Sequence, residues 1–190
     1  VDDWARIIQD GMLTIGTAAS NPPFEYYDDS FQIDGYDAAL MRAVGEKLGL
    51  QVNIVDYPFE GLPAALQMGQ IDGIASALTI NAARSAAVDF SMPYYSSSEG
   101  LLAPANSPLS NVALSTVDLS NLRVGVQRGT VYEAWAKQAI DAGRLLPANL
   151  RGYASEADIV QALKSGQVDL AVVDALPALV IRENQEDGTA

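Results

Sequence analysis

Apolar positions change their period repeatedly along this chain, and each change marks an element. DWARIIQD over 3–10 has the spacing of a short amphipathic helix ending at Gly11. Leu13-Thr14-Ile15-Gly16-Thr17 reads as a buried strand. The following AASNPPFEYYDD carries Pro22-Pro23 and acids, which predicts an exposed, irregular loop. Leu40, Val44 and Leu48 recur four apart, giving a helix that Asp37 is placed to cap and Gly49 to stop. A strand over 51–56, a helix over 62–68 stopped by Gly69, and a strand over 71–75 follow. Strand alternating with helix predicts a parallel sheet with helices on its faces.

After an apolar strand at 100–104 and the loop ANSPLSN the pattern begins again. A strand over 123–126 leads to Gly129-Thr130, where Thr130 and Glu133 have capping-box spacing. A helix over 155–165 stopped by Gly166 and a strand over 168–173 complete the second half. LQMGQIDGIA at 66–75 and LKSGQVDLAV at 163–172 share one grammar: helix end, glycine stop, turn, Asp, central strand. The expected architecture is therefore α/β, with two Rossmann-like lobes at 1–102 and 103–190. Ligands of such sheets bind beyond the carboxyl ends of the strands, so two lobes facing each other there leave a cleft.

Composition narrows the chemistry. The net charge is −13 and the isoelectric point about 4.1, which argues against nucleic acid and anionic membrane surfaces. There is no Cys and no His, which removes disulfides, thiolate chemistry, the Ser-His-Asp arrangement and the usual zinc sites. No cofactor or metal is expected. No apolar run reaches the roughly 18 residues of a membrane span. The chain begins at Val1 without Met, so the expectation is that a leader has been removed.

Several residues fall at the carboxyl ends of the expected strands. Arg84 lies near the start of a short helix after Thr79-Ile80-Asn81, where a guanidinium and free backbone N–H groups suit a small carboxylate. Gly129-Thr130-Val131 offers a second helix start. Asp174 follows the last strand, and Ala18 to Asn21 follow the first. An arginine facing an aspartate suits a zwitterion: the carboxylate of an α-amino acid goes to Arg84 and its ammonium to Asp174, with Phe59 covering the flat or aliphatic part. Each has a plainer reading. Asp174 can cap the helix before Leu176-Pro177, Thr130 is a capping residue whatever else it does, and Phe59 suits a core. Tyr94 and Tyr95 suit wall or hinge packing. Asp28, Asp29, Glu183, Glu186 and Asp187 are expected to be solvated.

The chain resembles the bacterial periplasmic solute-binding proteins for polar amino acids, which share the bilobal fold of ionotropic glutamate receptor ligand cores. The resemblance is carried, in family order and over most of the chain, by IGT (15–17), PPFEY (22–26), DGYDAALMRAVGEKLGL (34–50), FEGLPAALQMGQIDGIASALTINAAR (59–84), VDFSMPYY (88–95), LRVGVQRGT (122–130) and GQVDLAVVD (166–174). It implies a periplasmic binding protein-like II fold and a periplasmic or extracellular location, with lipid anchorage through a removed N-terminal signal as one form. It implies capture of a free amino acid by lobe closure and delivery to the permease of an ABC importer. In the family the Arg84 and Thr79 positions hold the ligand carboxylate, with the backbone at Thr130–Val131. The Ala77 carbonyl and Asp174 hold the ammonium, and Phe59 lines the pocket.

The departures are specific. Ala18 stands where members for basic amino acids often carry an acid, which weighs against lysine or arginine. Asn21 stands where many members place an aromatic. Asn81-Ala82-Ala83 replaces a common Thr-Pro-Glu, and Gln127 can donate and accept toward a polar ligand. Family members run on past the position of Ala190 and cross back to the first lobe. Without that segment the first lobe is expected to expose apolar surface that invites a partner or domain swapping. Two further readings share the scaffold. One is an enzyme like cyclohexadienyl dehydratase, using Glu25, Glu60 or Glu99 as acid. The other is the sensory module of a larger receptor.

Overall fold

The computed structural model of the protein describes residues 7, 10–105, 107–109 and 112–186. The chain forms two compact units, Val1–Ser96 and Ser97–Ala190. Of the helix expected over 3–10, only Ile7 and Asp10 lie within the described residues; both are helical, and the Gly11 N–H closes on the Ile7 carbonyl.

In the first unit β1 (Met12–Thr17) is central, with β5 (Gln51–Asp56) and β6 (Gly73–Ile74) parallel on its two sides. α1 (Tyr36–Leu48) bridges to β5, and α2 (Leu62–Gln67) bridges from β5 towards β6. The alternation of β1 sorts its side chains: Leu13 and Ile15 join one apolar cluster with Met41, Leu50 and Val52. A second cluster gathers Ala18, Leu62, Ala65 and Ile71. Gly16 permits the close approach of this layer, since a Cβ there would lie 2.5 Å from Ile71 Cδ1.

Two expectations in this unit are corrected. The loop over 18–29 is not simply exposed and irregular. Ser20–Asn21 (β2), Glu25–Tyr27 (β3) and Ile33–Asp34 (β4) form a small antiparallel sheet, and Phe24 and Glu25 are 3% and 1% exposed. Turn chemistry and acids predicted solvent contact, but Phe24 packs edge-on against Tyr36 and Tyr95 and carries its neighbour inward. Nor does Asp37 cap α1. Gly35 holds that position at φ 115°, and Asp37, two residues further on, is buried with 0% exposure.

The second unit has one four-stranded sheet in the order β7 (Glu99–Leu102), β10 (Leu170–Asp174), β8 (Val124–Gln127), β9 (Leu150–Tyr153). The last three run parallel, and β7 is antiparallel to β10. β7 was the strand expected to close the first lobe; its hydrogen bonds place it in the second unit's sheet instead. Sequence order carries no information on which sheet an edge strand joins. α4 (Val131–Asp141), α5 (Glu156–Lys164) and α6 (Ala175–Glu186) complete the unit around Val124, Val126, Leu170 and Val172, each fully buried.

The repeated grammar has one physical content in both units. Gly69 and Gly166 stop their helices at φ 67° and 69°. Asp72 Oδ2 accepts from the Thr14 N–H at 2.8 Å, and Asp169 Oδ2 accepts from the Arg123 N–H at 2.8 Å. Each aspartate thus ties the turn to the start of the neighbouring strand.

Candidate functional site

In the first unit the expected carboxylate stretch is built as a bend with a single helical turn. α3 spans only Ala82–Ser85, with Asn81 Oδ1 accepting from the Arg84 N–H at 2.9 Å. Four residues align too few peptide dipoles to make a useful macrodipole, so the recognition of an anion here falls to the guanidinium rather than to the helix start. Arg84 is half-buried, and burial lowers its pKa from the usual arginine value. Its Nη1 donates to the Thr79 carbonyl at 2.7 Å, and its guanidinium carbon lies 5.6 Å from the centre of the Phe59 ring. Phe59 lies in the one-turn segment Phe59–Gly61 that opens α2. Arg84, Thr79 and Phe59 are therefore one group, with the planar cation held against a ring face and oriented by a backbone acceptor.

Ala77, Ala18 and Asn21 belong to an adjoining network. Ala77 sits at φ 44°, a conformation that a side chain disfavours, and its N–H donates to Asp37 Oδ2 at 2.6 Å. The Ala18 N–H donates to Ser76 Oγ at 3.0 Å, and the Ala18 side chain is buried. Asn21 Nδ2 donates to Glu25 Oε1 at 3.3 Å. Tyr94 packs against Tyr36 at 5.9 Å and donates to Asp37 Oδ2 at 2.9 Å, the wall role read for it from sequence.

In the second unit Thr130 caps α4: its Oγ1 accepts from the Glu133 N–H at 3.3 Å and donates to the Gln127 carbonyl at 2.7 Å. Glu133 completes a variant of the box by accepting from Gly129 N–H at 2.9 Å. Gln127 is 7% exposed and commits its Nε2 to the Ala154 carbonyl at 3.1 Å. Val131 opens α4, and beside it Tyr132 donates its hydroxyl to Asp174 Oδ1 at 2.7 Å. Asp174 is the last residue of β10 and half-buried. Glu156, the first residue of α5, is buried; desolvation first, and then the charge of Asp174, pushes its carboxyl up to about 8. Gln127, Thr130, Val131 and Asp174 thus share one unit, and Tyr132 ties the first turn of α4 to Asp174.

Sequence reasoning missed Tyr132, Glu156, and the partnership of Glu25 with Asp37. Tyr132 lies in the first turn of a helix whose cap was legible, so its reach to the end of a parallel strand was open to inference. Nothing in the sequence around Glu156 or Glu25 announces burial, and only packing buries them. The Glu60 and Glu99 carboxylates, offered with Glu25 as acids for an enzyme, are both exposed. Among the described residues no helix is long and apolar enough to cross a membrane, and no group of His, Cys, Asp and Glu could hold a metal ion.

The two α/β units with parallel-containing sheets are shared with solved structures of the periplasmic binding protein-like II class, and the chain has that fold. Residues 13–143 match the bacterial extracellular solute-binding proteins, family 3, and the chain belongs to that family. Members of this family are binding proteins rather than enzymes. The chain is 36% identical over 166 residues to a probable histidine-binding protein of Campylobacter jejuni, covering 85% of this chain and 59% of that protein. It is 27% identical over 185 residues to the L-cystine-binding protein TcyJ of Escherichia coli, covering 97% of this chain and 67% of the relative. It is also similar to the crystal structure of the substrate-binding protein of an amino acid ABC transporter, with a TM-score of 0.81 and 30% identity, over 93% of this chain and 75% of the other. The chain spans about two thirds or less of the length of these curated relatives.

Proposed function

We propose that this protein binds a free amino acid and passes it to the permease of an ABC importer. The amino acid's carboxylate is taken by Arg84, with Thr79 and the backbone at Thr130–Val131, and its ammonium by Asp174 and the Ala77 carbonyl. Phe59 contacts the ligand's apolar part, and Ala18, Asn21 and Gln127 bear on side-chain selection. The observation that carries the reading is the pose of Arg84: one guanidinium nitrogen is pinned to the Thr79 carbonyl at 2.7 Å and the plane stands over Phe59. A guanidinium oriented by two groups before the ligand arrives loses less side-chain entropy on binding.

A neutral side chain at Ala18 supplies no counter-charge to a cationic ligand, and Gln127 spends its amide N–H₂ on Ala154. The first feature favours a ligand with an uncharged side chain over lysine or arginine; the second leaves Gln127 its Oε1 as an acceptor. The test is isothermal titration calorimetry of the folded protein with each standard L-amino acid and with L-cystine. Saturable binding of at least one, competed by others of its class, is the expected result. A folded protein that takes up none of them overturns the reading.

A further inference from the structure

The strongest unexplained feature of the first unit lies behind the bend at Ala77. Glu25 on β3 and Asp37 on α1 are both buried, at 1% and 0% exposure. Glu25 Oε1 accepts from Ser76 Oγ at 3.1 Å and from Asn21 Nδ2 at 3.3 Å. Asp37 Oδ2 accepts from the Ala77 N–H at 2.6 Å and from the Tyr94 hydroxyl at 2.9 Å. Each carboxyl has one oxygen left, Glu25 Oε2 and Asp37 Oδ1, and both are buried without any donor from the protein. The two carboxyls act on each other's protonation at close range, so a hydrogen bond between them is the way left to satisfy these oxygens. Two ionised carboxylates offer only lone pairs, so that bond needs a proton on one of them. Two negative charges in contact away from water would also repel strongly.

We propose that Glu25 and Asp37 share one proton, with Glu25 the neutral donor and Asp37 the charged acceptor, and that the pair is the positioning device that fixes the Ala77–Thr79 turn from behind. The surroundings decide which partner keeps the proton. Desolvation, then the charge of Asp37, pushes Glu25 up to about 10. Burial raises Asp37 as well, but the Ala77 N–H and the Tyr94 hydroxyl donate to it at 2.6 and 2.9 Å, shorter than the 3.1 and 3.3 Å bonds that Ser76 and Asn21 give Glu25, so the charge is better held on Asp37. Tyr94, from the segment after α3, is the other titratable group facing the pair. Asn21 from β2 and Ser76 and Ala77 after β6 contribute neutral groups. No lysine or arginine contributes to either shift.

Charge on Asp37 matters because its Oδ2 holds the N–H of a residue at φ 44°. A charge-assisted bond is the strong kind, and it holds Ala77 in a disfavoured conformation. Two residues on, Thr79 turns its carbonyl to Arg84. The pair touches no ligand in this scheme; it acts through the turn. The consequence for affinity rests on the amino-acid reading given above, whereas the shared proton does not.

Carboxyl-carbon NMR of the ligand-free protein, labelled at Glu and Asp, tests the proton. Burial pushes Glu156 up to about 8 and Glu25 up to about 10, so at about pH 9 Glu25 alone is expected to remain mainly protonated. That signal should vanish in Glu25→Gln. Absence of a protonated Glu at that pH, or a signal that survives Glu25→Gln, overturns the proposal. Hydrogen exchange at the Ala77 amide tests the positioning. Glu25→Gln keeps an uncharged side chain with an amide donor for Asp37, and Ala77 should exchange within about threefold of the wild-type rate. Glu25→Ala should exchange on the order of tenfold faster, and an unchanged rate in a folded Glu25→Ala protein overturns the positioning role.

Affinity for whichever L-amino acid binds the wild type should follow the same order, retained in Glu25→Gln and reduced about tenfold in Glu25→Ala. Equal loss in both variants overturns the rescue by the conservative change. If no amino acid binds the wild type, the functional reading fails, while the NMR and exchange measurements still decide the pair. Should Glu25→Ala not fold, the wild-type and Glu25→Gln spectra carry the test.

Discussion

Tyr132 gives its hydroxyl hydrogen to Asp174 Oδ1 at 2.7 Å, joining the first turn of one helix to the end of a parallel strand. The bond fixes the carboxylate proposed to take the ligand's ammonium. Asp174→Asn removes the charge and keeps the shape. Its loss should weaken amino-acid binding by ~2–5 kcal/mol, the range for one partner of a desolvated charge pair. Calorimetry on the Asn variant, with thermal melting as the folding control, reads this directly.

The same aspartate sets a pH dependence. Glu156 is raised from 4.5 to about 8 in the folded chain by burial and by the charge of Asp174. Between these values the folded state binds the extra proton, so stability is highest below about pH 4.5 for this group and falls as pH rises through about 8. Glu156→Gln should flatten that fall in a series of thermal melts. Asp174→Asn should move it to lower pH by removing one of its two causes. A fall unchanged in the Gln variant would assign the pH dependence elsewhere.

Arg84 is held by geometry a lysine cannot reproduce. Arg84→Ala should cost ~2–5 kcal/mol of binding. Arg84→Lys should recover little of it, because a point charge does not match a carboxylate with two parallel bonds. Both variants should melt within a few degrees of the wild type, since the side chain stands half-exposed at a one-turn helix. Wild-type affinity in Arg84→Ala would remove the carboxylate assignment.

Asp72 supports the start of β1 rather than the ligand. Asp72→Ala leaves the part-buried Thr14 N–H without its acceptor, at a cost of ~1–3 kcal/mol in stability. Chemical denaturation should show the loss, and affinity extrapolated to the fully folded protein should stay within about threefold.

Gly35 is the position least able to change. Its φ is 115°, and a Cβ there would come within 2.4 Å of the Phe24 carbonyl oxygen. Gly35→Ala adds backbone strain to a clash with backbone atoms, on the order of 3 kcal/mol together. Because Gly35 sets the entry of α1, the damage should reach Asp37, read as faster exchange at the Ala77 amide. A stable Gly35→Ala protein with unchanged exchange would separate the cap from the buried acid pair.

Much was legible from sequence because local physics dictated it. Gly69 and Gly166 ended helices at positive φ, Thr130 capped the helix that follows it, and the strands at 13–17 and 51–56 followed apolar patterning. Arg84 and Thr79 were legible as polar groups beyond the strand at 71–75, but the hydrogen bond between them was not. The repeated Gly-Gln-Ile/Val-Asp words named two equivalent turns before any coordinate was needed.

What the tertiary structure alone decided is the fate of groups whose partners are far away in the chain. Glu25 meets Ser76 across 51 positions and Asp37 meets Tyr94 across 57, and nothing near either acid announces its burial. The edge strand at 99–102 chose its sheet by pairing with residues 171–174. Periodicity reports which face of an element is apolar; it does not report which other element that face will meet. A carboxyl group's charge state depends on that meeting, through lost water and gained neighbours, so the proton on Glu25 belongs to the fold and not to the sequence around it.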